Sequence, residues 1–369
     1  MAIKRLTHLI WFISLMLLGL TCSANTLRIL NWGDYVDPDV IAAFEVAHNT
    51  KVEYIEFNNT DEFESLFFNK ETTFDVIFPP SNIIGVLKEY KLIQPFDKKQ
   101  FDNFSNINPT VMSGLRGQDQ DNAYSIPYMW GTTGIGYNQS TLSKLGIKEN
   151  DVSWSLIFDA NLRSKVKACG IGVVNERDEV FAAALSYLGY SINTQNKEEL
   201  KEAGKLIKEA VTDFTYLHTN QYTEDLKNNK ICVGVGYSGD ILAQTEENDS
   251  IQYAIPSQGA VMWVDVMAIP TNSQSPALAH KFIDYLMSPS ASAKNSNYAA
   301  YPTPMLDAKP LVDMEILTDP TIYPSAETLA SLEMMAPTER KVNRIKHRLW
   351  VRAICSKGKW CAVPMRAYF

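Results

Sequence analysis

The sequence predicts an α/β fold with a mostly parallel sheet covered on both faces. Three observations carry that expectation. Short apolar strands alternate with helices over the first ninety residues. The alternation resumes after residue 166, and between the two regions lies an extended stretch of low helix propensity. In order, residues 27–30 form a short apolar strand followed by Asn31-Trp32-Gly33-Asp34-Tyr35. Asp37-Pro38 then opens a helix to about residue 45, with Val40, Ile41 and Phe44 as its buried face. Residues 51–57 alternate like a strand, and residues 61–68 place Phe63, Leu66 and Phe67 on one side of a helix. A continuous apolar strand at 74–78 ends in Pro79-Pro80, and residues 83–89 form the next helix.

Residues 124–137 read differently. Pro127-Tyr128-Met129-Trp130 and Gly131-Thr132-Thr133-Gly134 suit a strand passing between domains. Residues 166–174 start a second α/β unit, with a helix at 180–188 and a polar-faced amphipathic helix at 198–210. Strands are expected at 231–235, 251–256 and 264–269, and a helix at 278–286. Gly and Pro punctuate the connections, without a long linker, internal repeat or low-complexity tract.

The chain has 369 residues, 46% of them apolar and 21% charged, which fits two domains or one large one and excludes collagen-like, coiled-coil or broadly disordered chains. Five cysteines are too few for a small disulfide scaffold, and a net charge of -8 gives no basic surplus for nucleic-acid binding. Lys4 and Arg5, the apolar run 9–20 and Cys22-Ser23-Ala24 read as a secretory signal peptide at 1–24, cleaved after Ala24. The run is shorter than the roughly 20 residues of a spanning helix. A lipoprotein reading through Cys22 fits poorly with Gly19 and Thr21; an uncleaved anchor is the other alternative. No later segment is long and apolar enough to span a bilayer, so the mature chain is expected to be soluble. Cleavage leaves 345 residues at -10, and residues 339–369 carry nine Lys or Arg against one acid. Residues 25–338 therefore hold a charge of -18, which favours cationic partners, although many exported proteins are acidic without such a role.

From about residue 27 to 351 the chain resembles the periplasmic polyamine-binding proteins of ABC importers, most of all the putrescine-binding members. The segments that carry the resemblance are Asn31-Trp32-Gly33-Asp34-Tyr35, the run from Pro127 to Tyr137, Glu179-Val180-Phe181, Gly236-Tyr237-Ser238-Gly239-Asp240, Trp263-Val264-Asp265, Tyr301-Pro302-Thr303-Pro304 and Arg344-Ile345-Lys346-His347-Arg348-Leu349-Trp350. No segment is strong alone; their common order makes the signal specific. The resemblance implies two α/β lobes joined by crossover strands, with the ligand clamped between them. One lobe would comprise 25–132 plus 265–309, the other 133–264 plus 310–350, and 351–369 would be a C-terminal extension. It also implies a monomeric periplasmic receptor without cofactor or metal, whose partners are putrescine or another polyamine and a membrane permease, not nucleic acid.

A protonated diamine is a short apolar rod with an ammonium at each end. It needs carboxylates at its ends and aromatic faces along its middle. At the family's ligand positions this sequence has Trp32, Asp34, Tyr35, Glu179, Tyr237, Asp240, Trp263, Asp265 and Tyr301. Each has a structural alternative: Trp32 and Tyr35 as core aromatics, Asp34, Glu179 and Asp240 as helix-start acids, Asp265 on an exposed edge, Tyr301 in a turn. A charge between Val264 and Val266 is costly unless paired, and alternation puts Trp263 on the face of Asp265.

Several positions depart from the family pattern. Gly33 stands where the putrescine-binding relative has Ser, and Pro80 where the family has a cleft Ser, for which Ser81 is the candidate substitute. Tyr237 occupies a position where Trp is common, and Trp263 follows the spermidine-binding pattern rather than the Phe of the putrescine-binding one. Putrescine is the expected ligand, with spermidine possible. The resemblance also pairs Cys169 with Cys232, while Cys355 and Cys361 lie beyond it and could pair or stay free. There is no G-x-S-x-G, H-E-x-x-H, phosphate loop or C-x-x-C, so an enzyme acting on an amine or a metal site is disfavoured. A receptor for another small cation, acting in sensing, is the closer alternative. An amino-acid receptor should show an Arg for the carboxylate, and the candidate set has none.

Overall fold

The structure is a computed structural model that describes residues 25–355 apart from Asn59, Lys70 and Glu246. The expected signal peptide, Cys361 and residues 356–369 of the expected C-terminal extension lie outside the described residues. In the first lobe, β1 (Asn25–Trp32) lies between β2 (Thr50–Phe57) and β3 (Val76–Ile77), all parallel. The Pro38–His48 helix connects β1 to β2; Asp37 caps it by accepting the Asp39 N–H, and Pro38 occupies the first turn. The expected strand at 74–78 reduces to the two residues of β3. Phe78 still donates to the Leu30 carbonyl at 3.0 Å, but Pro79 and Pro80 after it have no N–H to continue a ladder.

The extended stretch becomes β4 (Ile126–Asn138), a thirteen-residue strand buried along its whole length. In the second lobe, β5 (Ile171–Val174) runs parallel to β6 (Tyr216–His218) and to β7 (Val233–Tyr237). β4 pairs antiparallel with β7 and β8 (Ile251–Ala254) through its second half, and with β9 (Ala260–Met267) through its first. Beyond β9 lies β10 (Leu332–Glu333). The second sheet is thus mixed rather than mostly parallel, because β4, which enters it from the first lobe, runs against β7, β8 and β9. β9 begins earlier than expected, at Ala260, and crosses in the other direction: Ile77 and Ala268 exchange backbone hydrogen bonds of 3.0 and 2.9 Å, and Val266 N–H donates to the Pro79 carbonyl at 3.0 Å. β4 and β9 therefore belong to both lobes.

The cores follow the same division. One cluster gathers Leu27, Phe44, Tyr128, Phe282 and Met305; another gathers Ile135, Phe181, Ile207, Val235 and Trp350. Val312 is buried in the first, and Ile316, Leu317 and Tyr323 pack against it, so residues 310–323, expected in the second lobe, sit on the first. The apolar side chains of this stretch find their burial there before the chain returns through β10. The Arg340–Ile354 helix then closes the second lobe, with Leu349 seated over Gly204 of the Lys197–Ala210 helix. Cys169 and Cys232 form a disulfide, with their Cα atoms 5.5 Å apart. Among the described residues no helix is long and apolar enough to cross a membrane.

Candidate functional site

Between the lobes, around the crossover strands, lies a cleft of about 640 Å³. All ten residues singled out from the sequence line it: Trp32, Asp34, Tyr35, Ser81, Glu179, Tyr237, Asp240, Trp263, Asp265 and Tyr301. They come from six separate stretches of chain, which the two-lobe topology brings to one surface. The lining also holds Glu176 and Asp178, so six carboxylates face the cleft, and no Lys, Arg or His is among its described lining residues.

Strand alternation sets the placement of Asp265. Val264 and Val266 point into the core at 1% and 0% exposure, which turns Trp263 and Asp265 to the cleft. Asp265 is itself buried, and its Oδ2 accepts a 2.9 Å hydrogen bond from the Tyr35 hydroxyl. Burial pushes its carboxyl up to about 8; the nearby Asp240 charge adds to this and the Tyr35 hydrogen bond opposes it. Tyr35 is held by Tyr128, whose hydroxyl donates to the Tyr35 carbonyl at 2.6 Å.

Glu179 lies in the first turn of the Arg177–Tyr187 helix, as its helix-start alternative requires, and also reaches the cleft wall. The two readings coincide because the N-terminal end of this helix points at the cleft, where the helix dipole favours negative charge. Glu179 is buried, and its Oε2 accepts no hydrogen bond of normal geometry. Burial raises its carboxyl to about 8; the Thr133 hydroxyl opposes this, the charges of Glu176 and Asp178 add to it, and the Lys346 charge opposes it again. Asp178 behaves oppositely. Burial alone would raise it, but Lys346 at 3.3 Å and Arg177 at 2.6 Å hold it below its ordinary value.

Asp240 sits in the Ser238–Leu242 helix with both oxygens engaged: Oδ2 accepts from Tyr222 at 3.0 Å, Oδ1 from Tyr301 at 3.2 Å. Its carboxyl is raised by burial despite these two bonds. Asp34 is exposed at the rim, in a left-handed turn (φ 52°) that Asp tolerates better than most residues. Ser81 is half-buried beside Pro80. The rings form an edge-to-face row: Tyr35–Tyr301 at 5.7 Å, Tyr301–Trp263 at 5.1 Å and Trp263–Tyr237 at 5.9 Å. Two glycines make room for it. A Cβ on Gly131 would lie 2.4 Å from the Trp263 ring, and one on Gly239 would lie 2.2 Å from the Tyr301 ring.

Sequence reasoning missed Glu176 and Asp178, although the run Glu176-Arg177-Asp178-Glu179 concentrates acids just where a helix begins. It also missed Tyr222, Tyr298 and Met335, for which the sequence carries no local signal. The assembled surface can neutralise more than one positive charge and can cover apolar length between charges. It offers no cationic group to an anion.

Comparison with known proteins agrees with this geometry. Residues 39–323 match the family described as bacterial extracellular solute-binding protein. The putrescine-binding periplasmic protein PotF of Escherichia coli (strain K12) is 32% identical over 346 residues, 92% of this chain and 94% of that protein. The putrescine-binding periplasmic protein SpuD of Pseudomonas aeruginosa (strain UCBPP-PA14) is 34% identical over 335 residues, 89% of this chain and 91% of that protein. The crystal structure of the spermidine/putrescine ABC transporter substrate-binding protein PotD from Streptococcus pneumoniae superposes with a TM-score of 0.79 at 27% identity, covering 89% of this chain and 98% of that one. These relatives are solute-binding proteins of transport systems, not enzymes. The chain belongs to the bacterial extracellular solute-binding proteins, in the group of the periplasmic polyamine-binding members.

Proposed function

We propose that this protein is a periplasmic receptor that binds a polyamine between its lobes and delivers it to an ABC permease. The observation that carries the reading is the composition of the cleft wall: six carboxylates, no basic side chain among the described residues, and a row of aromatic rings between the acids. A polyammonium ligand supplies the countercharge that the buried Asp265 and Glu179 lack, and its methylenes cover the rings. Asp265 and Glu179 stand on different lobes, so one ligand spanning them binds the closed arrangement better than any open one. That differential affinity drives closure. The closed lobes then form the surface offered to the permease.

Putrescine is the preferred ligand in this reading and spermidine a second one, because Trp263 follows the spermidine-binding pattern and Glu176 adds a further acid to the cleft wall. Calorimetric titration with putrescine, spermidine, cadaverine and agmatine tests it. Micromolar or tighter binding of putrescine is expected. Absence of heat with all four amines, in protein confirmed to be free of prebound ligand, would exclude the polyamine reading.

A further inference from the structure

The acids of the cleft are not equivalent, and their hydrogen bonds divide them. Asp265 accepts from one tyrosine, and Glu179 Oε2 accepts no hydrogen bond of normal geometry. Asp240 has both oxygens occupied by phenols, and the two phenols come from different places. Tyr222 belongs to the same lobe, in the Gln221–Lys227 helix, where its hydroxyl also accepts the Tyr237 N–H at 3.3 Å. Tyr301 belongs to the core of the opposite lobe. Its hydroxyl donates to Asp240 Oδ1 and accepts the Asp240 backbone N–H, each at 3.2 Å, while its ring rests on Gly239, where a Cβ would lie 2.2 Å from Cζ.

We infer that Tyr301 and Asp240 form a latch that joins the two lobes across the cleft and holds them closed. Tyr301 is in this sense a positioning residue. The paired donor and acceptor on one hydroxyl fix the ring's tip against one peptide unit. Gly239 is the only side chain size that lets the ring descend so far. The row of rings runs through Tyr301, so the latch also fixes the distance between the apolar faces. A latch of this kind lowers the free energy of the closed lobes with or without ligand, and apparent affinity scales with the fraction already closed.

The latch does not depend on which ligand the cleft takes. The test therefore begins with ligand-free protein, in which small-angle X-ray scattering reports how far the lobes are apart. Tyr301→Phe keeps the ring and removes the hydroxyl; Gly239→Ala displaces the ring. Both are expected to give a larger radius of gyration than the wild type. Tyr222→Phe removes one hydrogen bond from the same carboxylate within one lobe, and is expected to keep the wild-type size. Saturating putrescine should return every variant to one compact size. Calorimetry should show putrescine and spermidine weakened by the same factor in Tyr301→Phe, roughly three- to tenfold, since closure is common to both. A ligand-free Tyr301→Phe protein of wild-type size overturns the latch, as does an affinity loss confined to one of the two amines. If no amine binds to the wild type, the ligand reading fails, and the scattering comparison still decides the latch.

Discussion

The two walls of the cleft are built on different principles. The first lobe contributes rings: Trp32, Tyr35 and Tyr301, braced against Phe57 and Tyr128, with one buried acid, Asp265, and one exposed acid, Asp34. The second lobe contributes charge: Glu176, Asp178, Glu179 and Asp240, with Tyr237 as its ring. Trp263, on a strand shared by both, sits where the two characters meet. The contrast teaches how one pocket reads an alkyl shaft and its charged ends. Rings are held rigidly by packing, whereas carboxylates need a site that tolerates repulsion. The Arg177–Tyr187 helix supplies that tolerance through its N-terminal end and through Arg177, which with Lys346 of the Arg340–Ile354 helix absorbs the Asp178 charge.

The largest expected effect tests the lone buried acid of the ring wall. Asp265→Asn keeps an acceptor for the Tyr35 hydroxyl but removes the charge. Calorimetry should show putrescine binding weakened about 100-fold, the cost of removing one partner from a buried charge pair. The unfolding midpoint of the empty protein should not fall. Affinity within a factor of two of wild type would remove Asp265 from recognition and leave the ring wall without its charge.

Glu179→Gln makes the same change on the acidic wall, where Glu176 and Asp178 remain beside it. A smaller loss, about tenfold, is expected in the same titration. A loss larger than that of Asp265→Asn would reverse the assignment of the two walls.

The pH dependence follows from the same two groups. In the empty protein Asp265 and Glu179 are both raised to about 8, so both are mostly protonated at pH 7. An ammonium favours the ionised form, so binding releases protons. Affinity is then expected to rise from pH 7 to pH 8 by about fivefold for each group that must ionise, about thirtyfold for both, and the binding enthalpy at pH 7 to vary with buffer ionisation enthalpy. The stability of the empty protein moves the other way. A raised carboxyl contributes stability that is complete below its ordinary value, 4.5 for Glu179, and is lost as pH rises through about 8. Melting curves of empty protein should fall over that window and saturating ligand should flatten the fall. A buffer-independent enthalpy at pH 7 would contradict the buried, protonated state of both acids.

The smallest effect concerns how the ring wall is held. Ala300 caps the Pro289–Ala299 helix in the left-handed region, at φ 52°, immediately before Tyr301. Ala300→Gly relieves that conformation and should stabilise the protein by about 1 kcal/mol, read as a small rise in melting temperature. A fall would mean that the rigidity of this turn contributes more than its strain costs.

The sequence by itself determined the alternation of strands and helices, the crossover character of residues 124–137 and the identity of the ten candidate cleft residues. Periodicity and dispersed segments in a fixed order are local or linear signals, and they survive without coordinates. It did not determine that β3 would shorten before Pro79, that residues 310–323 would pack on the first lobe, or that Glu176 and Asp178 would join Glu179 at the cleft. Only the tertiary structure separated the acids by environment. Asp34, Asp178, Glu179, Asp240 and Asp265 are similar carboxylates in sequence. Exposure for Asp34, a buried lysine behind Asp178, an oxygen on Glu179 without a hydrogen bond of normal geometry, two phenols on Asp240 and one on Asp265 make them different groups. Desolvation and hydrogen bonding depend on what the rest of the chain brings alongside, and no window of sequence contains that information.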